Sequence, residues 1–183
     1  MATVTTGTTY KTEIERLTDF RPGDLDALCE TTEEAIAVGL GFDWINMPSR
    51  QMLEKYWRGV QLVPERELFL ARLDNAIVGT CQMLRPTVNN EAGAFNATIT
   101  TFFVVPYARG HGLARGLLAR VIEHARAQGF KMLSLDVRET QSAAISLYES
   151  AGFVRWGVKP RYAFVNGTYI AGYFYYKMLD EAG

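Results

Sequence analysis

The sequence predicts an α/β fold, α+β in stricter terms: a mixed sheet of about seven strands flanked by about four helices, in the order β-α-α-β-β-β-α-β-α-β-β. Three observations carry this. From Glu67 onward the hydrophobic period becomes two, the signature of half-buried strands. Two hairpin dipeptides that tolerate positive φ, Asp74-Asn75 and Asn166-Gly167, divide strand pairs. A strongly amphipathic helical stretch, Gly110–Gln128, lies between two strand patterns.

Tyr10–Leu17 reads as an edge strand. Arg21-Pro22-Gly23-Asp24 is a turn that ends in a good helix N-cap, after which Leu25, Leu28, Cys29, Thr32 and Ile36 recur at helical spacing. A second helix follows Pro48-Ser49, with Met52, Leu53, Tyr56, Trp57 and Val60 on one face. The Gly- and aromatic-rich Gly39–Trp44 between them reads as a packed connection, with part of a substrate lid as the alternative. Glu67–Leu73 and Ala76–Arg85 form the first hairpin, and Ala92–Val105 a long strand after the Asn89-Asn90 turn. The helix from Gly110 points Leu113, Leu117, Leu118, Val121, Ile122 and Ala125 inward and stops at Gly129. Lys131–Val137 is a strand, Gln141–Ala151 a short helix closed by Gly152, and Phe153–Val165 with Tyr169–Leu179 the second hairpin. The unit from Ala94 to Val137 is a right-handed crossover, which makes its two strands parallel.

Composition bounds the function. The 183 residues are 48% hydrophobic and 21% charged, the balance of a globular protein with a sizeable core. Nineteen Lys and Arg against 20 Asp and Glu leave a net charge of −1, which argues against a general nucleic-acid binder. Cys29 and Cys81 are too few for a disulfide framework, and with His111 and His124 they complete no metal-ligand pattern, so no metal is expected. The first residues have no basic or apolar leader character, and no apolar run approaches the roughly 20 residues of a membrane span. A cytoplasmic protein without a membrane partner is expected.

The chemistry concentrates in two segments. In Phe102–Gly116 a strand runs into a glycine loop that opens a helix, placing backbone N–H groups and the positive helix end around an anion. Gly110 and Gly112 let a phosphate approach the main chain. A dinucleotide fingerprint fails because its third glycine position is Arg115, and no Gly-Lys-Ser/Thr run completes a P-loop. Arg109 and Arg115 flank the loop and suit phosphate, whereas Arg120 and Arg126 read as a solvated helix face. The second segment is Gln141–Phe153. In it Tyr148 follows Gln141 by two helical turns, so both face one groove. Asp136, amid Leu133, Leu135 and Val137, is a carboxylate on a strand expected to be covered on both faces. It is costly there unless paired or used, so capping nearby amides or pairing Arg138 stands beside a catalytic role.

Arg109-x-x-Gly112-x-Ala114 resembles the pyrophosphate signature of the GNAT superfamily of N-acetyltransferases. Gln141-x-x-Ala144-x-x-Leu147-Tyr148-Glu149-x-x-Gly152-Phe153 resembles that family's second signature, with Gln141 in place of the usual Asn. The run from Val158 to Leu179 bears a weaker likeness to tabtoxin-resistance acetyltransferases, which act on small amines. The resemblance implies a GNAT-like fold, with a flexible segment over residues 1–9 and a single acetyltransferase domain over 10–183. It also implies transfer of an acetyl group from acetyl-CoA to the primary amine of a small molecule by direct attack. Phe103 and Val104 would offer main-chain groups to the pantetheine arm, which Gln141 would also meet. Arg109, Gly110, His111, Gly112, Leu113, Ala114 and Arg115 would hold the pyrophosphate.

Tyr148 occupies the family's acid position, and a phenol of pKa about 10 stays protonated at neutral pH beside a leaving thiolate of pKa about 8.5. For the base, Asp136, Glu139 and an ordered water chain all stay open. Tyr162, Tyr173 and Tyr175 are expected to pack the sheet or shape the acceptor pocket. A CoA-binding sensor without turnover and an acetyltransferase of protein N-termini or lysines are the competing functions, and a homodimer is the one assembly entertained.

Overall fold

In the computed structural model, which describes residues 10–39 and 42–180, the elements in chain order are β1 (Thr12–Leu17), α1 (Asp24–Ala37), α2 (Arg50–Leu62), β2 (Arg66–Leu73), β3 (Ala76–Leu84), β4 (Asn96–Val104), α3 (Leu113–Ala127), β5 (Met132–Arg138), α4 (Ser142–Ser150), β6 (Val154–Val165) and β7 (Thr168–Met178). A short 3-10 turn, Pro106–Ala108, follows β4. The segment 1–9 lies outside the described residues. One seven-stranded sheet runs β1-β2-β3-β4-β5-β7-β6, antiparallel throughout except for the β4–β5 pair, as the crossover requires. Both hairpin dipeptides turn with positive φ: Asp74 at 48° and Asn75 at 71°, then Asn166 at 50° and Gly167 at 80°.

The helices cover both faces. Phe69 of β2 meets His124 of α3 with ring centroids 5.4 Å apart, whereas Gln82 of β3 reaches Tyr56 of α2. Since Phe69 pairs with Cys81 and side chains alternate, α3 packs on one face and α2 on the other. The apolar stripe of α3, Leu113, Leu117, Leu118, Val121, Ile122 and Ala125, is buried as its period predicts. On the α1/α2 face, Trp57 is fully buried and its indole N–H donates to Thr32 Oγ1 at 3.0 Å.

Two helix starts differ from the sequence reading. Gly23, at φ 87°, stands at the cap of α1, and Asp24 is the first helical residue. Its carboxylate accepts from Arg21 N at 3.1 Å and from the Arg72 guanidinium at 2.8 Å. A buried arginine outbids the local cap. Helix α3 begins at Leu113 because Gly110 and Gly112 are both left-handed, at φ 83° and 74°.

The feature that positions the site is a break in the sheet. β4 pairs with β5 only from Asn96–Thr98 to Met132–Ser134. On its other side, the register of β4 with β3 shifts between Thr80 and Gln82, where Thr101 sits at φ 49°. A β-branched residue there stores on the order of 1–3 kcal/mol of strain. Thr80 Oγ1 donates to Thr101 O at 3.0 Å and Tyr56 Oη lies 3.3 Å from Thr101 Oγ1, which holds the bulge. Beyond it β4 and β5 diverge and leave a V-shaped cleft. Among the described residues no helix is long and apolar enough to cross a membrane.

Candidate active site

The cleft has a volume of about 1060 Å³, and its walls are the facing edges of β4 and β5. Phe102, Phe103 and Val104 line one side, and Asp136, Val137 and Arg138 the other. Because the strands no longer pair, their main-chain groups along this edge are left for whatever occupies the cleft. Phe103 and Val104 stand where the sequence places them.

At one end lies the glycine loop. Gly110, Gly112, Leu113, Ala114, Arg109 and Arg115 all line the cleft. Nothing stands within 4 Å of where a Cβ on Gly110 or Gly112 would be, so the loop opens onto free space at the N-terminus of the 15-residue α3. Neither Arg109 nor Arg115 has a carboxylate partner among the described residues. Unpaired N–H groups, a helix dipole and two free guanidinium groups fit a pyrophosphate. The expected role of His111 rests on its backbone N–H, and its side chain is engaged elsewhere. Its Nδ1 lies 3.0 Å from Arg109 O and 3.2 Å from Ala108 O, and its ring packs edge-on against Tyr10 at 4.9 Å. His111 braces the loop from behind and leaves only its backbone facing the anion site.

Tyr148, on α4, is 4% exposed and lines the cleft, as does Gln141 two turns earlier. Its ring sits among Phe102, Phe153 and Tyr175, with centroids 5.7, 5.9 and 6.4 Å away. Its hydroxyl has no hydrogen-bond partner among the described residues. Burial pushes the phenol well above its ordinary range, with the charge of Asp136 adding to the effect. It is held as an O–H donor. Gln141 instead spans the mouth of the cleft, donating from Nε2 to Gly39 O at 2.9 Å.

Asp136 corrects an expectation. The strand is not covered on both faces: Leu133, Leu135 and Val137 are buried, but Asp136 is exposed. Tyr175 pairs with Leu135 and packs on Tyr148, so α4 covers the Leu135 face. Asp136 points to the opposite face by alternation, which puts it on the α1/α2 side. It neither caps an amide nor pairs with Arg138. Its Oδ2 accepts a hydrogen bond from Tyr162 of β6, whose phenol is raised by burial and then by that bond. Tyr162 lies flat over Gly172, where any Cβ would collide with its ring. Glu139 does not line the cleft; it accepts from Ala171 N at 3.0 Å and from the Tyr173 hydroxyl at 3.4 Å.

The described residues of the Gly39–Trp44 connection pack and also border the cleft. Phe42 is 9% exposed and joins an aromatic cluster, 5.4 Å from the rings of both Trp44 and Phe103, while Phe42, Asp43 and Trp44 also line the cleft. Arg138 donates to Phe42 O at 2.6 Å and ties the connection to β5. Sequence reasoning missed Tyr56, Arg66 and Thr101 among the lining residues. Their signal was weak: Tyr56 shares the apolar face of α2, and Arg66 and Thr101 are polar residues in or beside strands. Cys29 and Cys81 are buried free thiols, and no group of three or more potential metal ligands occurs among the described residues.

Comparison with known proteins identifies the family and the fold. Residues 32–153 match the acetyltransferase (GNAT) family. An uncharacterized N-acetyltransferase from the hisH–hisA intergenic region of Azospirillum brasilense is 52% identical over 128 residues, 70% of this chain and 76% of that one. The N-alpha-acetyltransferase RimI of Mycobacterium tuberculosis is 37% identical over 74 residues, 40% of this chain and 45% of that one. Among solved structures, an N-acetyltransferase from Staphylococcus aureus Mu50 superposes with a TM-score of 0.80 at 19% identity, covering 93% of this chain and 99% of that one. An acetyltransferase from Salmonella typhimurium, solved with its cofactor acetyl-CoA, gives 0.76 at 19% identity over 93% of this chain and 95% of that one.

Proposed function

The chain belongs to the GNAT family of acetyltransferases, and from that premise we propose that it moves the acetyl group of acetyl-CoA to the primary amine of a small molecule by direct attack. One observation carries the reading. The seam between β4 and β5 has an anion-binding glycine loop at its end, a buried phenol on one face and a carboxylate on the other. Acetyl-CoA supplies the activated acyl group; the protein's residues supply position and protons.

The loop from Arg109 to Arg115 holds the pyrophosphate, and the free edges of Phe103 and Val104 bind the amide-rich arm. Gln141, engaged with Gly39, closes the mouth over that arm. In the reaction a C–N bond forms, the C–S bond breaks, the amine loses a proton and the departing sulfur gains one. Tyr148 donates its O–H to the sulfur. Because burial raises its pKa, it acts first as a hydrogen-bond donor that lowers the energy of the forming thiolate, and the proton follows as CoA leaves. Asp136, with Oδ2 held by Tyr162, takes the amine proton directly or through one water from the acceptor side.

A protein N-terminus as acceptor is a second reading, favoured by the stretch shared with the mycobacterial N-alpha-acetyltransferase. The test is thiol release from acetyl-CoA across a panel of small amines and short peptides with free N-termini. Turnover of small amines supports the proposal; turnover of peptides alone supports the second reading; binding of acetyl-CoA without turnover of any acceptor leaves a CoA sensor.

We also propose a single-domain cytoplasmic protein that pairs through β6. That strand ends the sheet with an unpaired edge and exposes Trp156, Val158 and Phe164. Analytical ultracentrifugation should give twice the chain mass, and a monomer at micromolar concentration refutes the pairing.

A further inference from the structure

The acceptor side of the cleft contains a cation that acetyl transfer does not use. Arg66 opens β2, lines the cleft and is half-buried. Among the described residues it has no carboxylate within ion-pair distance, whereas Arg138 in the same cleft stands 3.8 Å from Asp43. Arg66 is nonetheless held in place. Its Nη1 donates to Gln82 Oε1 at 2.8 Å, and the fully buried Gln82 donates in turn to Tyr56 Oη at 2.9 Å. Tyr56 closes the chain on Thr101, the strained residue of the bulge.

The register places this guanidinium. Arg66 pairs with Leu84 and Leu84 with Thr98, the last β4 residue paired with β5. Arg66 therefore stands at the floor of the V, where the strands part. Its bond to Gln82, which in turn reaches Tyr56 of α2, puts it on the α2 face, the face toward which Asp136 points, opposite α3. The pyrophosphate loop opens α3, so Arg66 is not needed for the cofactor's phosphates. One N–H of five is committed to Gln82, which leaves donors in the fork that suits a carboxylate. A partly desolvated arginine without an anion is costly, and a site that keeps one gains most from a ligand that brings the anion.

We propose that the acceptor is an amine that also bears a carboxylate, held by Arg66 at the cleft floor with its amine directed toward Asp136 and the thioester. This rests on the acetyl-transfer reading and narrows its substrate class. The aromatic walls of Phe42, Trp44 and Tyr56 suit an apolar body between the two charged ends.

The test compares apolar L-amino acids with their carboxamides, which keep the amine and lose the negative charge. Wild type is expected to favour the free acids by 10²-fold or more in kcat/KM. Arg66→Met should lower kcat/KM for the acids by a similar factor, chiefly through KM, and leave the carboxamides unchanged; Arg66→Lys should recover part of the loss. Equal use of acids and carboxamides by wild type, or equal losses for both in Arg66→Met, overturns the proposal. Calorimetry with CoA present separates the two readings. If no acceptor releases thiol, acetyl transfer fails, yet acids that bind wild type and not Arg66→Met still support the carboxylate site, and acids that bind neither refute it.

Discussion

At the scale of the residue, the cleft keeps one phenol, Tyr148, in its protonated form. Tyr148 is kept neutral chiefly by burial, which penalises its anion. Its acid form is complete below that raised pKa, so activity should not fall between pH 8 and 10 through ionisation of this residue. A steady kcat across that window, followed at saturating acceptor, checks the sign. Tyr148→Phe keeps the ring among Phe102, Phe153 and Tyr175 and removes only the donor. Affinity for acetyl-CoA should change little while kcat falls about 10²- to 10⁴-fold. Unchanged kcat with a raised KM would make Tyr148 a binding residue, leaving water to protonate the thiolate.

The element proposed to bind the cofactor is a loop whose shape depends on two left-handed glycines. Gly112 has open space around its missing Cβ, so it is glycine for its φ of 74° and for the approach of a ligand, and not for packing. Gly112→Ala should cost about 1–2 kcal/mol of stability from the unfavourable backbone alone. It should also weaken acetyl-CoA binding at least tenfold by narrowing the anion site. A urea melt and calorimetry on one variant separate the two, and unchanged affinity would remove the loop from the site. The opening between β4 and β5 is likewise set at the level of elements. The bulge at Thr101 frees the edge of β4, and its supports come from β3 and α2.

At the scale of the whole molecule, buried ion pairs tie the β1–β2 end of the sheet to α1. Arg72 of β2, 6% exposed, meets Glu15 of β1 at 2.6 Å and Asp24 of α1 at 2.8 Å. One guanidinium thus ties β2 to two consecutive elements that lie about fifty residues earlier in the chain. Arg72→Met leaves Asp24 buried and unpaired and should destabilise the fold by about 3–5 kcal/mol, read as a lower urea midpoint with an unchanged slope. A loss below 1 kcal/mol would show that water or Arg21 compensates Asp24.

Periodicity and turn chemistry made the elements legible because they act over a few residues. The hairpins at Asp74-Asn75 and Asn166-Gly167, the stripe of α3 and the glycine loop at its start are local, and so is the spacing of Gln141 and Tyr148 on one helix. Asp136 was legible as a residue but not in its setting. Whether a strand is covered on one face or two depends on which helices pack there, and those lie elsewhere in the chain. The partnership of Asp136 with Tyr162 spans 26 residues, and that of Arg138 with Phe42 spans 96. Arg66 looks in sequence like the charged start of an ordinary strand. Only when β2, β3 and β4 come into register does it stand at the floor of the cleft. Local pattern thus determined which elements form and which residues are candidates to bind an anion or donate a proton. The parting of β4 from β5, and the groups that meet in the gap, were decided by tertiary structure, because strand register and helix placement are settled by contacts that no short stretch of sequence contains.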